Sequence, residues 1–123
     1  MKKWVADITI KNAKKSKYPR FRHAACIEKG GSIMSSGVNI CKPRTPNSSF
    51  SVHAEIGPLK RILTILARSK RKETYEIYVA RITPEEKTAF SKPCKNCLAA
   101  LRKSGIIGVI HFTTNTGWET QEI

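Results

Sequence analysis

The chain has 123 residues, with 23 Lys and Arg against 9 Asp and Glu, a formal net charge of +14 at pH 7. That length predicts one domain over residues 1–123, able to bury a core without disulfide staples, and 40% hydrophobic content excludes a disordered chain. No apolar run approaches the roughly 20 residues of a membrane span, and residues 1–9 lack the apolar core of a secretion signal. An intracellular, cytoplasmic protein with no membrane partner is therefore expected. The charge excess calls for an acidic partner. Its cations cluster, with Lys2, Lys3, Lys11, Lys14, Lys15, Lys17, Arg20 and Arg22 in one group and Lys60, Arg61, Arg68, Lys70, Arg71 and Lys72 in another.

Residues 3–17 read as a first helix, partly periodic through Trp4, Ile8, Ile10 and Ala13 and broken by Tyr18-Pro19-Arg20. Residues 22–28 read as a strand, Gly30-Gly31 as a hairpin turn and residues 32–39 as the returning strand. Residues 42–51 contain Pro43, Pro46 and Asn47 and read as a loop. The strongest helical pattern covers residues 52–70, where Ile56, Leu59, Leu63 and Leu66 recur at helical spacing, with Ser51 as N-cap and Pro58 in the first turns. Residues 75–82 alternate like a strand. Residues 94–104 read as a helix stopped at Gly105, residues 106–113 as a buried strand and residues 118–123 as a short edge strand. Strands joined by helices need parallel crossovers. The expected fold is therefore α/β, a three-layer αβα sandwich with a mixed sheet and helices on both faces.

Four cysteines are present. Cys26 sits in an apolar stretch and reads as a small core residue; Cys41 follows a loop and has no evident role. Cys94 and Cys97 form a C-x-x-C unit, which serves either as a metal clip or as a redox pair. His53-Ala54-Glu55 upstream favours the metal. His53, Cys94 and Cys97 supply three nitrogen and sulfur ligands and leave the fourth tetrahedral position of a zinc ion open, which separates catalytic from structural zinc. All three fall at predicted helix N-termini, where the dipole stabilises thiolates. Glu55, two residues from His53, points elsewhere around the same pocket and is placed to act on water as a base, not as a ligand. Zinc held this way brings the pKa of its water towards about 7. His23 and His111 lie in predicted strands and read as strand-face residues.

The pairing of His53-Ala54-Glu55 with Pro93-Cys94-Lys95-Asn96-Cys97 matches the H-x-E…P-C-x-x-C signature of zinc nucleobase deaminases. With Arg22-His23-Ala24-Ala25 and Gly37-Val38-Asn39 it resembles the cytidine and deoxycytidylate deaminase superfamily over nearly the whole chain. The resemblance implies a five-stranded sheet flanked by helices, a zinc cofactor and hydrolytic deamination, with Glu55 moving protons. It also implies that Asn39 contacts sugar and base and that the backbone of Ala54 donates to the base carbonyl. The resembled family includes dimers, tetramers and hexamers, with monomers among its polynucleotide-acting members.

The substrate is the less determined part. Nucleoside deaminases of the resembled family usually carry Cys at the His53 position, so His53 points towards the nucleotide, transfer-RNA and polynucleotide branches. A surplus of fourteen positive charges exceeds what one nucleotide needs. Single-stranded binders combine a basic groove with aromatic stacking surfaces, and Tyr18, Phe21 and Phe50 lie near Lys17, Arg20, Arg22 and Arg44. The leading expectation is cytosine deamination in single-stranded DNA or RNA, DNA slightly preferred, with Arg20, Arg22, Arg44 and Phe50 as contacts. The alternatives are a deoxycytidylate deaminase acting on the free nucleotide, a transfer-RNA adenosine deaminase, and a non-catalytic zinc module that binds nucleic acid.

Overall fold

A computed structural model describes residues 1–16, 22–38, 40–45, 48–52, 74–93 and 95–123. Helix α1 spans Lys3–Lys14. Strands β1 (Arg22–Lys29) and β2 (Ser32–Val38) form the expected hairpin. Its turn needs glycine: φ is +59° at Gly30 and +87° at Gly31, a pair of left-handed residues that matches the twist of the flanking strands.

Strands β3 (Ile40–Thr45) and β4 (Ser48–Val52) pair antiparallel as a separate two-stranded ladder. This corrects two expectations. Residues 42–45 and 48–51 are strand and not loop, and Ser51 and Val52 do not open a helix but end β4, opposite Cys41 and Ile40. Ile40, Phe50 and Val52 are strand-forming residue types. Pro43 sits beside a register irregularity between Pro43 and Thr45, where a missing ladder donor is tolerated. The rest of the helix expected over residues 52–70 lies outside the described residues.

The chain continues through β5 (Tyr75–Ile82), β6 (Thr88–Ala89), helix α2 (Lys95–Ser104), β7 (Ile107–Thr114) and β8 (Gly117–Glu122). The main sheet runs β2-β1-β5-β7-β8, with the short β6 added beside β5, so it has six strands where five were expected. Among the described residues only β5 and β7 pair in parallel; β1–β2, β1–β5, β5–β6 and β7–β8 are antiparallel. The mixed sheet with helices on both faces is as expected. Helix α2 stops at Gly105, whose φ of +69° only glycine adopts without strain.

Period-2 alternation sends neighbouring strand residues to opposite faces. Ala24, Cys26, Tyr78, Ala80 and Ile82 face α1 and pack against Val5, Ala6 and Ala13. Ala25, Ile27, Ile77, Val79, Ile110 and Phe112 form the other face, covered by Leu101 of α2 with Leu98 and Ala100. Each such aliphatic side chain, fully buried, contributes about 1.5–3 kcal/mol. The helix that carries the second cysteine motif is thus bolted to one face, and the N-terminal helix to the other.

Candidate metal centre

Cys97 lies in the first turn of α2 and is 4% exposed. Its sulfur is a thiol, not half of a disulfide. No acidic residue occupies that first turn, while Arg102 and Lys103 occupy the last. The positive end of the helix dipole therefore has no carboxylate competing with the Cys97 sulfur. A buried sulfur in this position suits a soft cation such as zinc, so the donor chemistry fits the metal. The flanking Pro93 is buried, whereas Lys92 and Lys95 are exposed. His53, Ala54, Glu55, Cys94, Asn39 and Arg20 lie outside the described residues. Among the described residues alone, no group of three or more His, Cys, Asp or Glu comes together. Arg44 falls on β3 and Phe50 on β4, Phe50 opposite Lys42.

Sequence reasoning missed how the segment before Cys94 is held. The parallel ladder between β5 and β7 ends at Val79 and Phe112. Beyond it the strands diverge, and β6 takes the place beside β5 with Ala89 opposite Arg81. At the point of divergence, hydroxyls stand in for the ladder. Ser91 Oγ donates to the Val79 carbonyl (2.8 Å) and accepts from the Thr113 amide (2.7 Å). The Ser91 amide donates to the Thr113 carbonyl at 3.0 Å. Thr113 Oγ1 accepts from the Arg81 amide (3.1 Å) and lies 2.7 Å from the Ala89 carbonyl and 2.8 Å from Ser91 Oγ. Both side chains are buried. Diverging carboxyl ends of parallel strands are where α/β sheets open a ligand crevice. Phe90, next in the chain, is 56% exposed and meets Phe112 edge-to-face at 5.9 Å. No periodic pattern marks these residues, so only the C-x-x-C unit three positions beyond Ser91 pointed here.

Two of the expected cationic features have internal roles. The Arg22 guanidinium donates to the Thr83 carbonyl (2.7 Å) and pairs with Glu86 at 3.1 Å, and that contact holds the Glu86 carboxyl below its ordinary range. Lys2 pairs with buried Glu28 at 2.9 Å, and its backbone amide donates to the Tyr78 hydroxyl at 2.8 Å. Burial pushes Glu28 upward, but the Lys2 ammonium and the Gly31 amide outweigh it and leave the carboxyl below its usual value. The hydrogen bond to Glu28 raises Lys2 in turn. His111 is a buried strand-face residue, as expected. It bonds Glu76 and Thr120, each at 2.7 Å, and lies against Tyr78 with ring centroids 4.4 Å apart. Cys26 is a core residue on the same face, with its thiol pushed up by burial. The exposed Lys3, Lys11 and Lys14 belong to α1 and Lys15 caps its C-terminus, on the opposite face of the sheet from α2.

No helix among the described residues is long and apolar enough to cross a membrane. No curated protein matches the chain by sequence. The deoxycytidylate (dCMP) deaminase of cyanophage S-TIM5, in its apo form, shares the fold with a TM-score of 0.60 and 21% identity, over 93% of this chain and 86% of that one. The same enzyme in complex with dCMP and dUMP matches at TM-score 0.54 and 21% identity, over 87% and 81%. The cytidine deaminase of Burkholderia pseudomallei matches at TM-score 0.67 and 18% identity, over 99% and 93%. At these identities the likeness establishes the fold. The model of the cytidine and deoxycytidylate deaminase zinc-binding region matches residues 1–113, nearly the whole chain, and with it both motifs around His53 and Cys94. A hydrolytic deaminase family with a zinc cofactor is the one to which this chain belongs.

Proposed function

We propose that the chain is a single-domain zinc hydrolase that replaces the exocyclic amine of cytosine by oxygen in a free nucleotide, deoxycytidylate being the reference substrate. The observation that carries the choice of substrate is where the charge sits. The lysines of α1 stand on the face of the sheet away from α2, Arg22, one of the expected nucleic-acid contacts, is spent on Glu86, and Lys2 is spent on Glu28. The S-TIM5 enzyme, which binds dCMP and dUMP, supports the same reading.

In this reading His53, Cys94 and Cys97 hold the zinc. When bound, the ion supplies a Lewis acid that makes a water acidic enough to attack near neutral pH. Glu55 would accept one proton of the attacking water and deliver it to the ring nitrogen, where it stays, and would then carry the second, from the new hydroxyl on the attacked carbon, to the amine, so that the carbonyl forms and ammonia leaves. Asn39 and the Ala54 amide orient sugar and base. Cys97 stands in the first turn of α2, where the helix dipole opposes the cost of burial and favours the thiolate that zinc requires.

A second reading, cytosine deamination in single-stranded nucleic acid, is favoured by one observation. Half-exposed Phe90 and exposed Lys92 and Lys95 bracket Cys94 on the α2 side, an aromatic with cations of the kind that stack and neutralise a strand. The zinc-loaded protein is tested on deoxycytidylate, cytidine, a single-stranded DNA oligonucleotide and a transfer RNA, scoring uracil and inosine. Turnover of deoxycytidylate is expected. Product from the oligonucleotide alone would refute the free-nucleotide reading, and inosine alone would refute cytosine as the target. Glu55→Ala is expected to abolish turnover with zinc retained; an active variant removes the role given to Glu55.

A further inference from the structure

We infer that Ser91 is a positioning residue for the metal-binding cysteines: its hydroxyl, clamped between β5 and β7, sets where the chain enters Cys94 and Cys97. The inference rests on the zinc site proposed above.

Three features place Ser91 in this role. It sits where the parallel ladder stops, and its one hydroxyl donates to β5 through the Val79 carbonyl and accepts from β7 through the Thr113 amide. Its own amide bonds the Thr113 carbonyl, so the residue is tied at backbone and side chain alike. The chain then reaches Cys94 after only Lys92 and the buried Pro93, whose fixed φ removes a degree of freedom. An error in the position of Ser91 therefore passes almost undamped into the first turn of α2. Thiolate ligands tolerate little misplacement, because zinc–sulfur distances vary by only a few tenths of an ångström. A hydroxyl can do this where the backbone ladder has ended, because Ser91 Oγ spans the Val79 carbonyl and the Thr113 amide.

Ser91→Ala removes the hydroxyl and leaves the Val79 carbonyl and the Thr113 amide without their buried partner. Thr113→Val takes away the neighbouring hydroxyl, which bonds Ser91, the Ala89 carbonyl and the Arg81 amide, but leaves the Ser91 hydroxyl on the Val79 carbonyl and the Thr113 amide. Thr9→Ala is the control. Thr9 is also fully buried and donates to the Val5 carbonyl at 2.8 Å, but from α1 on the far face.

Zinc affinity is measured by competition with a chromogenic chelator, and ligation by the sulfur-to-metal charge-transfer band of the cobalt(II)-substituted protein. Ser91→Ala is expected to weaken zinc binding by about tenfold or more, the usual effect of losing a group that orients metal ligands, and to diminish the charge-transfer band. Thr113→Val should shift both in the same direction by less, and Thr9→Ala should leave both at the wild-type value. Wild-type affinity, to within about twofold, in folded Ser91→Ala and Thr113→Val would overturn the inference. If far-ultraviolet circular dichroism shows Ser91→Ala unfolded, the same criterion applies to Thr113→Val alone. Equal affinity in wild type and Cys97→Ser is a different outcome, which removes the zinc site itself.

Discussion

Leu101 offers the sharpest test of how α2 is held. Its side chain is 0% exposed and packs into the cluster of Ile27, Ile77, Val79, Ile110 and Phe112. It also lies one helical turn beyond Cys97, on the same stripe of α2. Leu101→Ala deletes three carbons from a site walled by a rigid sheet, which collapses little. The lost transfer energy and the residual cavity together cost about 2.7–5 kcal/mol. Unfolding entropy near 2.1 cal/mol/K per residue over 123 residues gives about 0.26 kcal/mol/K, so Tm should fall by roughly 10–19 °C. Leu98 is only partly buried against the same cluster, and Leu98→Ala should cost clearly less. The assay is urea unfolding with a chelator present, so that bound metal does not mask the loss by mass action. A Leu101→Ala penalty under about 1 kcal/mol, or one no larger than that of Leu98→Ala, would refute the packing of α2 against the sheet described above.

Other outcomes follow from the same geometry. Glu28 is depressed, so its contribution to stability is complete above the unfolded value of about 4.3 and is lost as pH falls through the lower folded value. Lys2 is raised, so its contribution is complete below about 10.4 and is lost as pH rises through the folded value. The Tm difference between wild type and Lys2→Met should therefore be flat between those limits and shrink in acid; a difference that grows as pH falls contradicts the pairing. Cys97→Ser should cost the cobalt(II) derivative charge-transfer intensity and weaken zinc by at least about tenfold, read by chelator competition, and an unchanged spectrum would remove Cys97 from the ligand set. Replacing Lys3, Lys11 and Lys15 together by Glu should leave kcat/KM for deoxycytidylate unchanged, while a large loss would place the α1 face in substrate capture. Removal of zinc by a chelator should lower Tm, since a ligand bound only by the folded state stabilises it.

Much of the fold was legible because it follows one periodicity per element. Residues 75–82 are apolar on both faces, as a central strand covered by two helices must be, and they form β5 with the predicted bounds. Gly30-Gly31 announced its turn because few other residues accept two consecutive positive φ angles. Residues 42–51 misled because their prolines and serines read as loop, whereas a two-stranded ladder with a register irregularity absorbs Pro43. The two-residue β6 is too short to carry any period. At the candidate site, the zinc motifs are visible as residue types at fixed spacings. Ser91 and Thr113 were not, because a hydroxyl replacing a backbone ladder leaves no trace in composition or spacing. Charge left the substrate open for a similar reason: a count of cations does not say which side of a sheet they stand on.

The two faces of the sheet differ in wetness as well as in partners. Glu28, His111 and the Tyr78 hydroxyl are all buried beneath α1, while the α2 face is built of hydrocarbon and aromatic rings. The Glu28–Lys2 pair therefore lies on the side remote from the proposed chemistry. Substitutions at Lys2 or Glu28 should move the acid stability of the metal-free protein and leave the pH profile of turnover in place.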